Sequence, residues 1–233
     1  LSTVKKIGIL GGTFDPPHAG HLRLASHFAK LLHLDALLLI PSGEPWQKGT
    51  GITPAETRLQ LTEAAGIDLA RAFLYLKIST QVGIDRIEID RAGPSYAIDT
   101  VKTLRERFGA DASLTWLMGA DSLIALPSWN SWEKLSQYVN FAVATRPHHD
   151  LNEQTDPELS PDVSKFLKEH RAMDSTALEN SAYGLIYLDE SLNVDLSSTE
   201  LRDRLKSSSR SAIASEEIPT HTLEIITKLG LYQ

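Results

Sequence analysis

Eleven residues near the start of the chain could do phosphate chemistry by type and spacing: Gly11-Gly12-Thr13-Phe14-Asp15-Pro16-Pro17-His18-Ala19-Gly20-His21. Two adjacent glycines let a backbone come close to a ligand and turn its N–H groups toward it. His18 and His21 stand three apart where a helix would begin, at about Gly20. Both imidazoles can then face one anion, beside the amides of the helix N-terminus. A second cluster, Ser197-Ser198-Thr199-Glu200-Leu201-Arg202, puts three hydroxyls at another helix start and a guanidinium one turn in. Hydroxyls and backbone N–H groups bind phosphate oxygens, and arginine adds a charged fork. Taken singly, each histidine reads as a surface residue of a tight turn, and the second cluster as a helix cap. The whole first string, directly after a strand, is what points to a bound phosphate. It is not the dinucleotide fingerprint G-x-G-x-x-G, because Asp-Pro-Pro-His stands where close helix packing would want glycine.

The elements that would position these groups follow from hydrophobic periodicity. Val4 to Leu10 reads as a buried strand, His21 to Leu32 as a helix, and Ala36 to Ile40 as a strand stopped by Pro41. Strand, helix and strand in so few residues form a βαβ unit, hence a parallel sheet. Thr53-Pro54-Ala55-Glu56 carries a capping residue, a proline for the first helical position and a glutamate three after the cap, opening a helix to about Leu69. Phe73 to Ile78 and Ile84 to Asp90 read as strands. A helix from Ser95 ends near Phe108, with Gly109 as its stop. Leu114 to Met118 is a buried strand. Short helices follow Asp121 and Ser131, and Phe141 to Thr145 is the next strand. Residues 146 to about 160 are polar and proline-punctuated, a surface loop. Helices over Pro161 to Arg171, Ser197 to Leu205 and Pro219 to Leu229 flank a last strand, Leu185 to Leu188. The alternation predicts an α/β fold, a Rossmann-like open parallel sheet with helices on both faces. It predicts one domain over 1–233, with a C-terminal helical segment from about 197 carrying the second phosphate cluster. In such sheets ligands sit beyond the carboxyl ends of the strands, where the first string falls.

Composition narrows the function. The 233 residues carry 23 Lys+Arg against 30 Asp+Glu, a formal charge of -7, and the pI is about 5.6. Nucleic-acid-binding domains tend to a pI above ~9, so no nucleic-acid partner is expected. No apolar run nears the ~20 residues of a membrane span, and Leu1 to Gly12 is too short and glycine-rich for a signal peptide. There are no cysteines, hence no disulfide, thiolate zinc site or cysteine nucleophile, and a cytoplasmic location is expected. His148-His149-Asp150 lacks a second ligand pair at matching spacing, so no protein-held transition metal is expected.

The string GGTFDPPHAGHL resembles the signature of the nucleotidyltransferase superfamily with the H-x-G-H motif. Its DPPH form, and the chain length, are similar to the bacterial nicotinate-nucleotide adenylyltransferases rather than to the shorter phosphopantetheine adenylyltransferases. Ser197 to Arg202 resembles that family's second signature, S-[ST]-T-x-x-R. The resemblance implies ATP contacts at Gly11, Gly12, Thr13, Phe14, His18, Gly20, His21, Ser197, Ser198, Thr199 and Arg202. Gly119-Ala120-Asp121 resembles the family's G-x-D, adding Gly119 and Asp121, and Arg146-Pro147 matches its R-P pair, adding Arg146. Pro45-Trp46-Gln47-Lys48 stands where the family shows P-P-H-[KR]; Lys48 keeps its place, but no role of the histidine carries over to Gln47. Pro94-Ser95-Tyr96-Ala97 is similar to P-S-Y-T, with Ala97 lacking the hydroxyl. This implies an acceptor site at Asp15, Ser95, Tyr96 and Ala97, with Trp129 of a P-x-W segment stacking on a pyridine ring and Trp132 in the core. His27 and His33 need no role, and His170 and His221 are expected to be solvated.

The resemblance further implies transfer of the adenylyl group of ATP to nicotinate mononucleotide, giving deamido-NAD and pyrophosphate. The acceptor phosphate is already a nucleophile, so the protein's task is positioning and charge stabilisation. His18, His21, Lys48 and Arg202 are the expected catalytic groups, with the imidazoles protonated beside phosphate. Mg²⁺ is the expected cofactor, bridging phosphates with few protein ligands. Nicotinate is expected over nicotinamide because the chain resembles the bacterial form. Other readings stay open: a related adenylyl- or cytidylyltransferase with another phosphorylated acceptor, or a non-catalytic nucleotide sensor. An aminoacyl-tRNA synthetase fragment is disfavoured, since no K-M-S-K-S string is present. Whether the chain forms homo-oligomers is not legible.

Overall fold

Alternation along the central strands sorts apolar side chains to two faces of one sheet. The computed structural model describes residues 5–46, 51–145, 159–192, 198–206 and 217–232. In β1 (Lys6–Gly12), Ile7 and Ile9 join one core while Leu10 joins the other. β4 (Ser113–Gly119) sends Leu114, Trp116 and Met118 to the first core and Leu117 to the second. β5 (Asn140–Ala144) repeats this with Phe141 and Val143 against Ala142 and Ala144. This is the period of two that a pleated strand imposes. Fully burying one such side chain contributes about 1.5–3 kcal/mol.

The strands β2 (Ala36–Pro41), β3 (Gln81–Ile84) and β6 (Ile186–Asp189) complete a six-stranded sheet in the order β3-β2-β1-β4-β5-β6. Every neighbouring pair is parallel. One face is covered by α1 (Ala19–Leu31), α2 (Ala55–Leu76) and the short α6 (Thr176–Glu179). The other is covered by α3 (Ala97–Phe108), α4 (Ala120–Ile124), two 3₁₀ turns and α5 (Pro161–His170). A third, smaller cluster joins Leu61 of α2 to α7 (Ser198–Lys206) and α8 (Thr220–Leu229). The α/β expectation is met. No helix among the described residues is long and apolar enough to cross a membrane.

The chain enters the sheet at β1, runs outward to β3, then returns to β4 on the opposite side of β1. At that reversal the connections leave β1 and β4 in opposite directions, and a crevice opens beyond Gly12 and Gly119.

Two strand expectations are corrected. Phe73 to Leu76 is not a strand but the last turn of the 22-residue α2. Leu69 and Phe73, four apart, extend its buried face, and tertiary packing overrides their β propensity. The outer strand is Gln81–Ile84, not Ile84 to Asp90. Asp85 ends it: its Oδ1 accepts the N–H of Ile87 at 3.0 Å, and the N–H of Asp90 bonds the carbonyl of Arg86 in a turn. Pro54 is the cap of α2 rather than its first residue, and residues 132–137 form a 3₁₀ rather than an α-helix. Gly109 and Gly230 do terminate their helices with positive φ.

Candidate active site

Two cavities lie side by side in the crevice, and Gly11, Gly12, Thr13, Trp116 and Trp129 line both. The larger, about 490 Å³, is walled by Phe14, Asp15, His18, Gly20 and His21, by Gly119 and Asp121 after β4, and by Ser198, Thr199 and Arg202 of α7. The smaller, about 120 Å³, is walled by Ser42, Trp46, Glu88, Ser95, Ala97 and Asn130. The fold therefore brings residues from the two ends of the chain into one site.

His18 caps α1 with extended backbone, and its N–H donates to Nδ1 of His21 at 3.1 Å. A ring nitrogen that accepts carries no proton, so a neutral His21 holds its proton on Nε2. The two rings lie 3.7 Å apart between centroids, and His18 is 6% exposed. Burial lowers the His18 imidazole to about 4. Burial, and then the neighbouring His18, push His21 well below its ordinary value. In the protein alone the pair is therefore held toward the neutral form, because two close rings out of water disfavour charge, whereas the sequence expectation concerned protonation beside a bound phosphate. Nδ1 of His18 is buried without a hydrogen-bond partner among the described residues. The first amide of α1, Ala19 N–H, is also taken up inside the fold, donating to the carbonyl of Glu217 at 2.8 Å.

The segment between β1 and α1 is braced from far along the chain. Arg202 donates to the carbonyl of Asp15 at 2.7 Å and to Oγ1 of Thr199 at 3.2 Å. Ser198 Oγ donates to the carbonyl of Pro16 at 3.1 Å. The Asp15 carboxylate is 3% exposed, accepting the Tyr232 hydroxyl at 2.6 Å and the Thr53 N–H at 3.2 Å. Its place is in the wall of the larger cavity, and it does not line the smaller one with Ser95, Ala97 and Trp129. Burial and the Asp15 carboxylate raise the Tyr232 phenol, which stays a donor.

In the smaller cavity, Ser95 precedes α3 and accepts the N–H groups of Gly43 at 2.9 Å and Glu44 at 3.1 Å. Its own proton is directed to Glu88, which also accepts from the Thr100 hydroxyl at 2.7 Å. Burial raises the Glu88 carboxyl while these donors hold it down. Trp129 meets Trp116 edge-on at 5.8 Å, and Tyr96 meets the half-exposed Trp46 at 5.9 Å. Trp132 is buried in the core, as expected.

Lys48, Arg146 and Ser197 lie outside the described residues, as do His148 and His149. Two expectations about other histidines are corrected. His221 is only partly exposed and is bound rather than free: its N–H and Nδ1 meet the Asp68 carboxylate at 2.9 and 2.6 Å. His170 is likewise partly exposed and bound, its Nδ1 bonding the carbonyl of Gly184 at 2.7 Å while its ring packs on Phe166. Both anchor helix ends to other segments. His27 pairs with Asp189 at 3.3 Å. Sequence reasoning missed Arg58, Glu88 and Tyr232. An arginine on the largely apolar face of an amphipathic helix, beside Leu59, Leu61 and Thr62, is the one signal that could have pointed to Arg58.

Residues 9–204 match the cytidylyltransferase-like family. A probable nicotinate-nucleotide adenylyltransferase of Aeromonas salmonicida is 35% identical over 227 residues, covering 97% of both chains. One from Neisseria meningitidis is 35% identical over 230 residues, covering 99% of this chain and all of the relative. A solved Plasmodium falciparum nicotinic acid mononucleotide adenylyltransferase complexed with NaAD superposes with TM-score 0.66 at 18% identity, covering 98% of this chain and 97% of that one. This last likeness is one of fold.

Proposed function

Since the chain belongs to the cytidylyltransferase-like family and, within it, to the nicotinate-nucleotide adenylyltransferases, we propose that it transfers the adenylyl group of ATP to nicotinate mononucleotide, yielding deamido-NAD and pyrophosphate in NAD biosynthesis. The observation that carries this reading is the sharing of Gly11 to Thr13 by both cavities. A nucleotide in the larger one and a mononucleotide in the smaller one would meet over these backbone amides.

In this reading the triphosphate lies along Gly11 to Phe14, Gly20 and the α7 start, with the Ser197 and Thr199 hydroxyls as donors and Ser198, whose hydroxyl is given to the Pro16 carbonyl, adding its backbone N–H. Gly119 and Asp121 face the nucleoside, and Arg146 adds a further contact. His18 and His21 meet the α-phosphate as hydrogen-bond donors. An arriving anion favours their protonation, but two rings 3.7 Å apart accommodate one added proton more easily than two. Lasting positive charge comes from Arg202 and Lys48 on the outer phosphates, where loss of one such donor costs on the order of a hundredfold in rate. The acceptor's ring carboxylate sits at the start of α3, at Ser95, Tyr96 and Ala97. Only backbone donors remain at Ala97. Trp129 offers its face to the ring. Asp15 acts from behind, holding the loop through Thr53 and Tyr232.

Among the described residues no group of three or more His, Asp or Glu could hold a metal ion. The donors in the larger cavity are mostly amides, hydroxyls, imidazoles and a guanidinium, a set that fits phosphate oxygens better than a hard cation. Mg²⁺ is therefore proposed as part of the ATP substrate, held by its phosphates. The cytoplasmic location and the reading of the chain as one catalytic unit belong to the same proposal.

Pyrophosphate release with ATP and a panel of acceptor mononucleotides tests this. The expected result is turnover with nicotinate mononucleotide well above nicotinamide mononucleotide, and above CTP in place of ATP. His18→Ala should keep the fold and lose about a hundredfold or more. Near-wild-type turnover would remove His18 from the mechanism. ATP binding without acceptor-dependent release would replace the enzyme reading with a nucleotide sensor.

A further inference from the structure

Behind the junction of the two cavities lies a cation that neither sequence motif contains. Arg58, the fourth residue of α2, is 1% exposed and heads the largest fully buried side chains. Its Nε donates to the carbonyl of Thr53 at 2.8 Å. One terminal nitrogen donates to the carbonyl of Thr13 at 2.9 Å and reaches Oγ of Ser42 at 3.5 Å. The other donates to the carbonyl of Gly43 at 2.8 Å. Thr13 belongs to the loop after β1 and lines both cavities, and Ser42 and Gly43 belong to the loop after β2, of which Ser42 lines the smaller one. A single planar fork thus ties together the loops that would carry the two substrates.

We propose that Arg58 is a positioning residue for the transfer: by fixing the carbonyls of Thr13 and Gly43, it sets the distance between the two substrate loops. The inference rests on the function proposed above. A guanidinium suits the task because its donors diverge in one rigid plane, whereas an ammonium is a point donor on a flexible stem. Stability alone does not explain the choice. A buried charge carries a desolvation cost, and well-packed apolar residues are often as stable or more so in its place. Burial depresses the Arg58 guanidinium, and the carboxylates of Asp15 and Glu88 offset that. The neighbouring groups are arranged to keep a cation here. Each substrate loop also has a second tie: Asp15 bonds Tyr232, and Ser95 bonds Gly43 and Glu44. Among the described residues, Arg58 is the side chain that bonds both loops at once.

The test compares wild type with Arg58→Lys, Arg58→Met and Arg58→Ala in two readouts. The first is steady-state kinetics for both substrates. The second is amide hydrogen exchange over residues 11–14 and 42–44, which needs no turnover. The expected result for Arg58→Lys is a folded protein whose kcat falls at least tenfold, with the KM for each substrate within threefold. Exchange in both loops should be faster and exchange in β4 and β5 unchanged. Arg58→Ala should regain part of its kcat with millimolar guanidinium, and Arg58→Met, with its space filled, should not. Should the Met and Ala variants fail to fold, the Lys variant decides. A lowered melting temperature with wild-type kcat would mark Arg58 as structural only and overturn the proposal. If the wild type releases no pyrophosphate, the functional reading has failed, and the exchange arm still judges the tie. Unchanged loop exchange in Arg58→Lys would then sink it.

Discussion

Acidifying the ligand-free protein should uncover the neutral histidines. His18 titrates at about 4 in the fold because it is buried, against roughly 6.5 when unfolded. Between these values the unfolded chain binds a proton that the native one refuses, so stability rises with pH across the window. It is complete above about 6.5 and is lost as pH falls toward 4. From pH 7 to pH 5 the His18 contribution falls by about 2 kcal/mol on these two values. His21, pushed down by burial and by His18, adds in the same direction. Glu88, raised by burial, acts oppositely. The quantity to read is therefore the difference between wild type and His18→Gln in urea denaturation at pH 7, 6 and 5. The variant should lose about 2 kcal/mol less than wild type over that range. ATP binding at pH 6 should also take up protons, seen by calorimetry in buffers of different ionisation enthalpy, and less so in the variant. Parallel pH curves for the two proteins would refute the reasoning, because His18 would then titrate alike folded and unfolded.

Three further outcomes follow from local geometry. Gly43→Ala would place a Cβ 2.2 Å from the Glu88 carbonyl oxygen, a backbone atom that cannot turn aside. It should cost about 1–3 kcal/mol in denaturation and raise the acceptor KM more than the ATP KM. Ser95→Ala leaves the amides of Gly43 and Glu44 without their acceptor. A loss of about 1–3 kcal/mol per unsatisfied group, with weakened acceptor binding by titration, is expected. Tyr232→Phe removes the 2.6 Å bond to Asp15 and should cost roughly 1 kcal/mol, read by thermal melting.

What was legible in the sequence was local. Gly11 to His21 and Ser197 to Arg202 stand out because glycines that expose amides, and hydroxyls and cations set beside a helix start, are grouped within a few residues of one another. The α/β alternation was equally plain, since each strand carries its own apolar run. The errors lie where a long-range contact decided. Phe73 joins a helix because the second core accepts it one turn beyond Leu69. Ile84 to Asp90 alternates like a strand, yet Asp85 folds it into a turn under the smaller cavity. The roles of Arg58 and Tyr232 could not be read, because the loop residues that they tie, Thr13 and Asp15, lie 45 and 217 residues away. A motif shows which groups meet the ligand, while the side chains that hold it in place are known only after folding.

The braces on the loop after β1 have a consequence for biosynthesis. Ser198, Arg202, Glu217 and Tyr232 all follow β6 in the chain. A polypeptide leaving the ribosome thus presents every strand of the sheet before any of these four. The loop after β1 therefore gains these four braces only when segments that follow β6 pack against it, so its final shape waits on the most distant part of the described chain.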